Sequence, residues 1–257
     1  MHRSGGCRII LEKEPRRGSY NMALDEVLLE SALRHGQTSL RWYRWSEATV
    51  SLGYFQDSAA TQSDPRFARL PKVRRLSGGG AIFHHHEITY SCAVPPTHRL
   101  ARLPHELYDR VHEAIISGLK QIGAEARLRG TRLDERESLF LCFARGDPRD
   151  VVVAGHKVLG SAQRRRRGAI IQHGALLLRS SHHAPEFPGL FDLTDVNVSE
   201  AQLMSLLCDS VGKSVGGELE GPCYAQELSV AERTLLAQLE RERYRSLDWR
   251  RRAAKTR

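Results

Sequence analysis

A cysteine and a lysine near the middle of the chain have the side chains needed for nucleophilic catalysis. Cys142 lies between two apolar residues, and Lys157 follows fifteen positions later, beside a predicted hairpin. A thiolate is a strong nucleophile, and a neighbouring ammonium group stabilises it near neutral pH. Strand pairing in the hairpin can bring the two groups together. Taken alone, however, this pattern is more typical of a small buried cysteine and a solvated lysine.

Three consecutive glycines follow two arginines in the segment Arg74-Arg75-Leu76-Ser77-Gly78-Gly79-Gly80-Ala81-Ile82-Phe83-His84. Glycine allows the backbone to approach a ligand closely and leaves its amide groups accessible, while arginine can bind a carboxylate or a phosphate. The candidate substrate-binding residues of this segment are Arg75, Ser77, Gly78, Gly79, Gly80, Ala81 and His84. The alternative is a flexible hairpin turn with solvated arginines.

A second glycine-containing segment includes the candidate lysine. It has the sequence Gly155-His156-Lys157-Val158-Leu159-Gly160-Ser161-Ala162-Gln163 and is followed by Ile171-Gln172-His173-Gly174. Glycines on both sides of a lysine-bearing strand suit a segment that wraps around a ligand, and a histidine can carry a proton. The candidate substrate-binding residues here are Gly155, Gly160, Ser161, Ala162, His173 and Gly174. The alternative for the final residues is a bulge or a turn.

Adjacent histidines raise the question of a metal site. They occur as His84-His85-His86 and His182-His183. Neighbouring residues on a strand point to opposite faces, and no carboxylate or cysteine lies at a useful spacing. We therefore predict no metal site.

The composition narrows the class of protein. The chain has 257 residues, of which 40% are hydrophobic, and a formal net charge of +9. The charge implies an acidic partner, but no nucleic-acid-binding motif accompanies it. Five cysteines without a Cys-x-x-Cys pair indicate neither a disulfide framework nor a structural zinc site. No apolar stretch approaches the length of a membrane span, so we expect a cytoplasmic protein without a membrane partner.

Periodicity and turn residues predict an α+β domain. The predicted strands are 7–11, 40–45, 49–52, 73–76, 81–84, 88–94, 151–153, 157–160 and 169–178, and the second and third are expected to pair. The predicted helices are one that is capped by Asn21 and ends near Gly36, and three more at 104–123, 199–208 and 229–243. The irregular alternation predicts a mixed, mainly antiparallel sheet flanked by helices. We expect a single domain over 1–257, with a core at about 7–200 and a C-terminal helical extension at 200–257.

Together these segments resemble the lipoate/biotin protein ligase superfamily, and within it the cysteine-dependent octanoyl-[acyl carrier protein]-protein N-octanoyltransferases. The resemblance runs from Asn21-Met22-Ala23-Leu24-Asp25-Glu26 to about Leu178, and its most specific part extends from Cys142 to Gly174. It implies the catalytic fold shared with class II aminoacyl-tRNA synthetases and biotin synthetases. It also implies that Cys142 is the acyl-thioester nucleophile, that Lys157 activates its thiol, and that the first glycine segment binds the acyl group.

The resemblance further implies a donor and an acceptor. The donor is octanoyl-acyl carrier protein, and the acceptor is a lysine of a lipoyl domain or of glycine-cleavage H protein. Such a transferase needs no cofactor, and we expect a monomer that does not bind nucleic acid. The sequence departs from the family pattern at Gly80, where many transferases carry arginine, and at His85, where aspartate is usual.

Three alternatives stay open. One is a lipoate-protein ligase that forms lipoyl-AMP and requires ATP and Mg²⁺. Another is an amidotransferase that moves acyl groups between lipoyl domains and retains the role of Cys142. The last, from a different class, is a basic nucleic-acid-binding protein that acts through Arg164 to Arg167.

Overall fold

The structure, a computed structural model, describes residues 6–57, 59, 64–130, 146–216 and 222–247. Its strands are Cys7–Leu11 (β1), Thr38–Tyr43 (β2), Thr49–Leu52 (β3), Lys72–Arg74 (β4), Ile82–His84 (β5), Glu87–Val94 (β6), Ala126–Leu128 (β7), Val151–Val153 (β8), His156–Arg166 (β9), Ala169–Leu177 (β10) and Tyr224–Ala225 (β11). Its helices are Gly18–His35 (α1), Arg99–Arg102 (α2), Pro104–Gln121 (α3), Leu190–Leu193 (α4), Glu200–Gly216 (α5) and Val230–Leu239 (α6), and a π-helical turn, Glu240–Tyr244, follows α6.

Most strands form one mixed, mainly antiparallel sheet, which confirms the predicted fold class. Its order is β11-β1-β2-β6-β10-β9-β8-β7. Only the β11–β1 and β1–β2 pairs are parallel. Strand β10 is buried along its whole length, and it holds His173 and Gly174 between β6 and β9.

The predicted pairing of the second and third strands is wrong. β2 lies between β1 and β6, whereas β3 is the central strand of a separate sheet with the order β4-β3-β5. β4 runs parallel to β3, and β5 runs antiparallel to it. The triple-glycine segment therefore connects strands on either side of β3, so it is not a hairpin turn. Short apolar strands indicate which face is buried, but they do not specify the neighbouring strand.

The first helix begins earlier than predicted, at Gly18, and Asn21 is not its cap. Asn21 is buried inside the helix. Its side-chain amide donates to two backbone carbonyl groups, and its oxygen accepts a hydrogen bond of 2.7 Å from Arg41. The asparagine thus anchors the helix to the preceding loop and to β2. The C-terminal end is as predicted, because Gly36 adopts the left-handed conformation, with φ of 66°.

The hairpin between β8 and β9 is confirmed, and β9 is longer than predicted. Ala154 and Gly155 form its turn with φ values of 48° and 81°, the left-handed geometry of a tight two-residue hairpin connection. β9 continues to Arg166, so most of the four-arginine run belongs to a strand.

Helices cover both faces of the large sheet. Apolar residues of α3 and α5 pack with the sheet in one cluster, and those of α1 and α6 pack in another. α5 extends to Gly216, beyond the predicted end at 208, because Val211 and Val215 continue the apolar spacing. Within the described ranges, no helix is long and apolar enough to cross a membrane.

Candidate active site

A small cavity, with about 290 Å³ of empty space that includes open solvent, lies between α1, the small sheet and the β9–β10 pair. The lining residues are Met22, Tyr43, Trp45, Ser51, Arg75, Ile82, His84, Thr89, Gly160, His173, Gly174 and Ala175. The fold therefore brings the two glycine-containing segments, which are far apart in sequence, to one cavity.

Lys157 forms a buried ion pair with Asp150 next to this cavity. Its Nζ is 3.0 Å from Asp150 Oδ2, and the two side chains are 8% and 2% exposed. Asp150 immediately precedes β8, and Lys157 lies on β9 opposite Val152. Burial raises the pKa of Asp150, although the charges of Lys157 and Arg129 oppose that rise. Lys157 is thus not the solvated hairpin lysine of the alternative interpretation.

Gly160 provides the space that the Lys157 side chain occupies. A Cβ atom on Gly160 would lie 2.8 Å from Lys157 Cε and 3.0 Å from Nζ. It would also lie 3.2 Å from Asp150 Oδ1. Because Gly160 itself lines the cavity, it brings the ammonium group within a short distance of the cavity wall.

His173 is held between a carboxylate and a hydroxyl group. Its Nδ1 is 3.1 Å from Asp25 Oδ2, and its Nε2 is 2.5 Å from Ser77 Oγ. Because a carboxylate only accepts hydrogen bonds, Nδ1–H donates to Asp25, and in the neutral ring Nε2 then accepts from Ser77. Burial acts to raise the pKa of Asp25, but hydrogen bonds from His173 and Ser91 and the charge of Arg41 lower it below its usual value. These contacts fix both the tautomer and the orientation of His173.

His84 has the same type of environment on the wall of the cavity. Its Nδ1–H donates to Glu87 Oε1 and its Nε2 accepts from Ser51 Oγ, each over 2.7 Å. The ring stacks on Trp45 with 3.8 Å between the ring centroids. The cavity thus has two histidines that each have an acid on Nδ1 and a serine on Nε2, an arrangement suited to proton transfer.

Arg75 stabilises the glycine segment through hydrogen bonds from its guanidinium group. Its Nε donates to Ser77 Oγ over 3.1 Å, and its Nη1 donates to the Ser51 carbonyl over 2.8 Å. Its Nη2 donates to the carbonyl groups of Gly78 and Gly80, each over 2.7 Å. The side chain is buried, so the guanidinium group stabilises the loop conformation instead of projecting into solvent.

Ser161 belongs to a buried network under α3. Its Oγ accepts from Tyr90 over 2.7 Å and donates to His112 Nε2 over 2.6 Å. Burial lowers the pKa of His112 to about 4. A Cβ atom on Gly174 would lie 2.1 Å from Ser161 Oγ, so the glycine at 174 is required by this network.

Some of the predicted site residues line the cavity, and others lie outside its lining. Those that line the cavity are Arg75, His84, Gly160, His173 and Gly174, and Lys157 lies beside it. In the part of the chain that the structure describes, the predicted residues outside the lining are Ser77, Gly78, Gly79, Gly80, Ala81, Gly155, Ser161 and Ala162. Of these, Ser77 reaches the site through His173. Cys142 lies outside the described residues.

The carboxylates that hold the site together are absent from the residues predicted as functional. Asp25, Glu87 and Asp150 are all buried, and each contacts a histidine or lysine of the predicted site. One feature of the sequence could have indicated Asp25. It lies on the helix near apolar Leu24 and Val27, where a charged side chain is buried and must be paired.

The histidines beyond the cavity pack against one another. The rings of His85 and His86 stack with 3.6 Å between centroids, because both residues lie in the turn after β5 and do not alternate as on a strand. His182 and His183 pack nearby. Among the residues that the structure describes, no group of three or more His, Cys, Asp or Glu side chains is placed to hold a metal ion.

These features define an α+β enzyme domain with a small cavity, a buried cation beside it and two oriented histidines in its wall. Residues 17–199 match the family model of the lipoyl protein ligase A/B catalytic domain. The chain belongs to this family, and it is an acyltransferase.

Comparison with individual proteins gives the same result. The chain is 32% identical over 262 residues to the octanoyltransferase LipM of Carboxydothermus hydrogenoformans, and the alignment covers 90% of this chain and 94% of that protein. A crystal structure of lipoate-protein ligase A bound with ATP has the same fold, with a TM-score of 0.71, 20% identity and coverage of 95% and 98%. A bi-partite lipoate protein ligase from Thermoplasma acidophilum, analysed together with its E2 lipoyl domain, gives a TM-score of 0.68 at 20% identity, with coverage of 95% of both chains.

Proposed function

We propose that this enzyme transfers an octanoyl group from acyl carrier protein, through a thioester on Cys142, to a lysine of a lipoyl domain or of glycine-cleavage H protein. The observation that carries the proposal is the buried pair of Lys157 and Asp150 beside a small cavity. The relative from Carboxydothermus hydrogenoformans, which aligns with nearly the whole chain, is named an octanoyltransferase.

The first step forms the acyl-enzyme. The Cys142 thiolate attacks the thioester carbonyl of the donor, the bond to the carrier sulfur breaks, and the carrier thiolate leaves and takes up a proton. Lys157 supplies the positive charge that stabilises the Cys142 thiolate in this proposal. Asp150 fixes the position of the ammonium group, because the two charges are buried together within 3.0 Å.

The second step transfers the acyl group to an amine. The neutral amine of the acceptor lysine attacks the acyl-enzyme carbonyl, the carbon–sulfur bond breaks, and Cys142 is released as a thiolate. The new amide nitrogen must lose a proton. His173 is placed at the cavity wall with Asp25 behind it, so we assign it the role of proton carrier.

The net charge and a structural neighbour support the proposed partners. The net charge of +9 favours encounter with acidic proteins, and the Thermoplasma acidophilum ligase has an E2 lipoyl domain as its partner. The transferase reaction conserves the energy of the donor thioester, so it needs neither ATP nor a metal cofactor. We further propose that the chain acts as a monomer in the cytoplasm.

The test is the intact mass of the protein after mixing with octanoyl-acyl carrier protein in the absence of ATP. We expect the wild type to gain one octanoyl group that hydroxylamine removes, and Cys142→Ala to gain none. Cys223→Ser is the matched control, because Cys223 is exposed but lies outside the cavity lining; this variant should be acylated like the wild type.

A different result would identify the ligase alternative. If the carrier gives no adduct, but ATP and octanoate support acylation of a lipoyl domain even in Cys142→Ala, the thioester route is wrong. If an acylated lipoyl domain serves as donor where octanoyl-acyl carrier protein does not, the protein is an amidotransferase between lipoyl domains.

A further inference from the structure

Two cysteines meet at the edge of the large sheet, in strands that the proposed reaction does not use. Cys7 is the first residue of β1 and is fully buried, whereas Cys223 immediately precedes β11 and is exposed. β1 and β11 are parallel, with Arg8 opposite Tyr224 and Ile9 opposite Ala225. Continuing this register by one residue places Cys7 directly opposite Cys223.

This strand register is compatible with a disulfide. Neighbouring strands lie about 4.8 Å apart, within the Cα separation of about 4.4–6.8 Å that disulfides span. A Cβ atom on Gly216 of α5 would lie 2.8 Å from Cys223 Sγ and 3.7 Å from Cys7 Cβ. Both cysteine side chains therefore point toward the same spot on α5, where Cys223 Sγ donates to the Gly212 carbonyl over 3.2 Å.

We propose that Cys7 and Cys223 form a redox-active dithiol site that is converted to a disulfide by small-molecule disulfides. The site has no role in the proposed acyl transfer, and the two assignments stand independently. Its chemistry uses the exposed thiol as the attacking group and the buried thiol as the resolving group.

The difference between the two environments sets the order of the reaction. Interaction with the Cys7 thiol lowers the pKa of Cys223 to about 7, while interaction with Cys223 and burial raise the pKa of Cys7 well above its usual value. Near neutral pH the exposed Cys223 is therefore the thiol with substantial thiolate character. Cys7 is fully buried and can only react with a sulfur already bound at Cys223.

The reaction consists of two balanced thiol–disulfide exchanges. The Cys223 thiolate attacks one sulfur of a small-molecule disulfide, and the other sulfur leaves as a thiolate that takes up a proton. Cys7 then gives up its proton and attacks the Cys223 sulfur, which releases the second small thiol. Two protein thiols are oxidised, and one small disulfide is reduced to two thiols.

The disulfide would attach the C-terminal segment covalently to the body of the enzyme. This segment is already held by an ion pair between Arg8, the neighbour of Cys7, and Glu232 of α6, with Nη1 and Oε1 2.8 Å apart. Its last turn donates hydrogen bonds from Arg243 and Tyr244 to Glu26 of α1. Oxidation thus fixes a segment that packs on the same helix that carries Asp25.

The experiment treats the full-length protein with oxidised glutathione, blocks remaining thiols and maps the peptides by mass spectrometry. We expect a peptide pair that joins Cys7 to Cys223. Cys7→Ser should stop at a glutathione adduct on Cys223, and Cys223→Ser should form neither product. Cys208→Ser is the matched control, because Cys208 is also buried on α5 nearby, and this variant should still form the disulfide.

The melting temperature provides a second readout that does not depend on the variants folding normally. Oxidised wild type should melt higher than reduced wild type by about 5–15 °C, because the disulfide closes a long loop in the unfolded chain. A reductant should reverse the change. A stable glutathione adduct on wild-type Cys223, a link from Cys223 to Cys208, or no reaction at Cys223 would each overturn the proposal.

Discussion

At the scale of single residues, the candidate site depends on buried polar and charged groups that are held in pairs. Lys157 with Asp150 and His173 with Asp25 are paired at distances of 3.0 and 3.1 Å. Removing one member of the Lys157–Asp150 ion pair leaves an uncompensated buried charge, which typically costs about 3–5 kcal/mol. A substitution that displaces the lysine without removing its charge is therefore more informative than its deletion.

Gly160→Ala is such a substitution. The added methyl group would lie 2.8 Å from Lys157 Cε, so the side chain must move and lose its alignment with Asp150. Because a displacement of about 1 Å can cost about 100-fold in rate, we expect acylation from octanoyl-acyl carrier protein to slow by about 10- to 100-fold. The measurement is the initial rate of acyl-enzyme formation.

Gly36→Ala is the matched control. Gly36 adopts φ of 66° at the end of α1, and nothing lies within 4 Å of a Cβ atom there. The substitution should cost about 1 kcal/mol through backbone strain and leave the acylation rate unchanged. Equal loss of rate in both variants would mean that stability, and not the position of Lys157, limits activity.

His173→Gln tests the proton carrier. An amide can retain the hydrogen bond with Ser77 but cannot accept a proton, so the two steps should respond differently. We expect acyl-enzyme to form at close to the wild-type rate and its transfer to a lipoyl domain to slow by about 100-fold or more. Single-turnover measurements separate the steps, and an equal decrease in both would indicate a purely structural role.

At the scale of elements, a buried histidine links α3 to the β9–β10 pair. His112 of α3 donates to the Arg149 carbonyl over 2.6 Å and accepts from Ser161 on β9. Burial lowers its pKa to about 4, so folding favours the neutral ring. As the pH falls, protonation of His112 in the unfolded chain therefore favours unfolding. The element that loses its connection to the sheet is α3.

This contact predicts the pH dependence of stability. Because folding lowers the pKa of His112, its contribution to the free energy of unfolding is fully present above about pH 6.5. That contribution is lost as the pH falls toward about 4, by up to roughly 3 kcal/mol. Urea unfolding at pH 7, 6 and 5 measures the free energy of unfolding, and its decline with falling pH should be smaller in His112→Gln. His105→Gln, on the exposed face of the same helix, should leave it unaltered. A decline that persists in His112→Gln would contradict the assignment.

At the scale of the whole molecule, positive charge is distributed between internal contacts and the surface. Arg166 pairs with Glu26 and Glu30, at 2.9 and 2.5 Å, and Arg164 lies over the Tyr54 ring. Part of the four-arginine run therefore stabilises the fold, which disfavours its use as a nucleic-acid-binding surface. We propose that residues 1–257 form one domain, since α6 and β11 pack on the same body as the catalytic core.

The remaining charge predicts salt-dependent recognition of protein substrates. Because steering by a net charge of +9 is screened by ions, kcat/KM with octanoyl-acyl carrier protein should fall by about 10-fold or more between about 0.02 and about 0.5 M salt. The acylation rate with a small uncharged octanoyl thioester should change little. A similar salt dependence for both donors would remove charge steering as the cause.

Features that depend on neighbouring residues can be predicted from the amino-acid sequence. The apolar periodicity of α3, the Ala154-Gly155 turn and the helix end at Gly36 all lie at their predicted positions, because each is set by local backbone preferences or by the spacing of apolar side chains. The pattern from Asn21 to Gly174 also suffices to indicate the family. Cys142 stays a prediction from that resemblance alone.

Contacts between distant segments could be identified only from the tertiary structure. The pairing of Lys157 with Asp150, of His173 with Asp25, and of Cys7 with Cys223 depends on strand register and on helices that approach from elsewhere in the chain. The wrong pairing of β2 with β3 has the same origin. Hydrophobic pattern specifies which faces are buried, whereas the partners of a buried charge are chosen by the packing of distant segments.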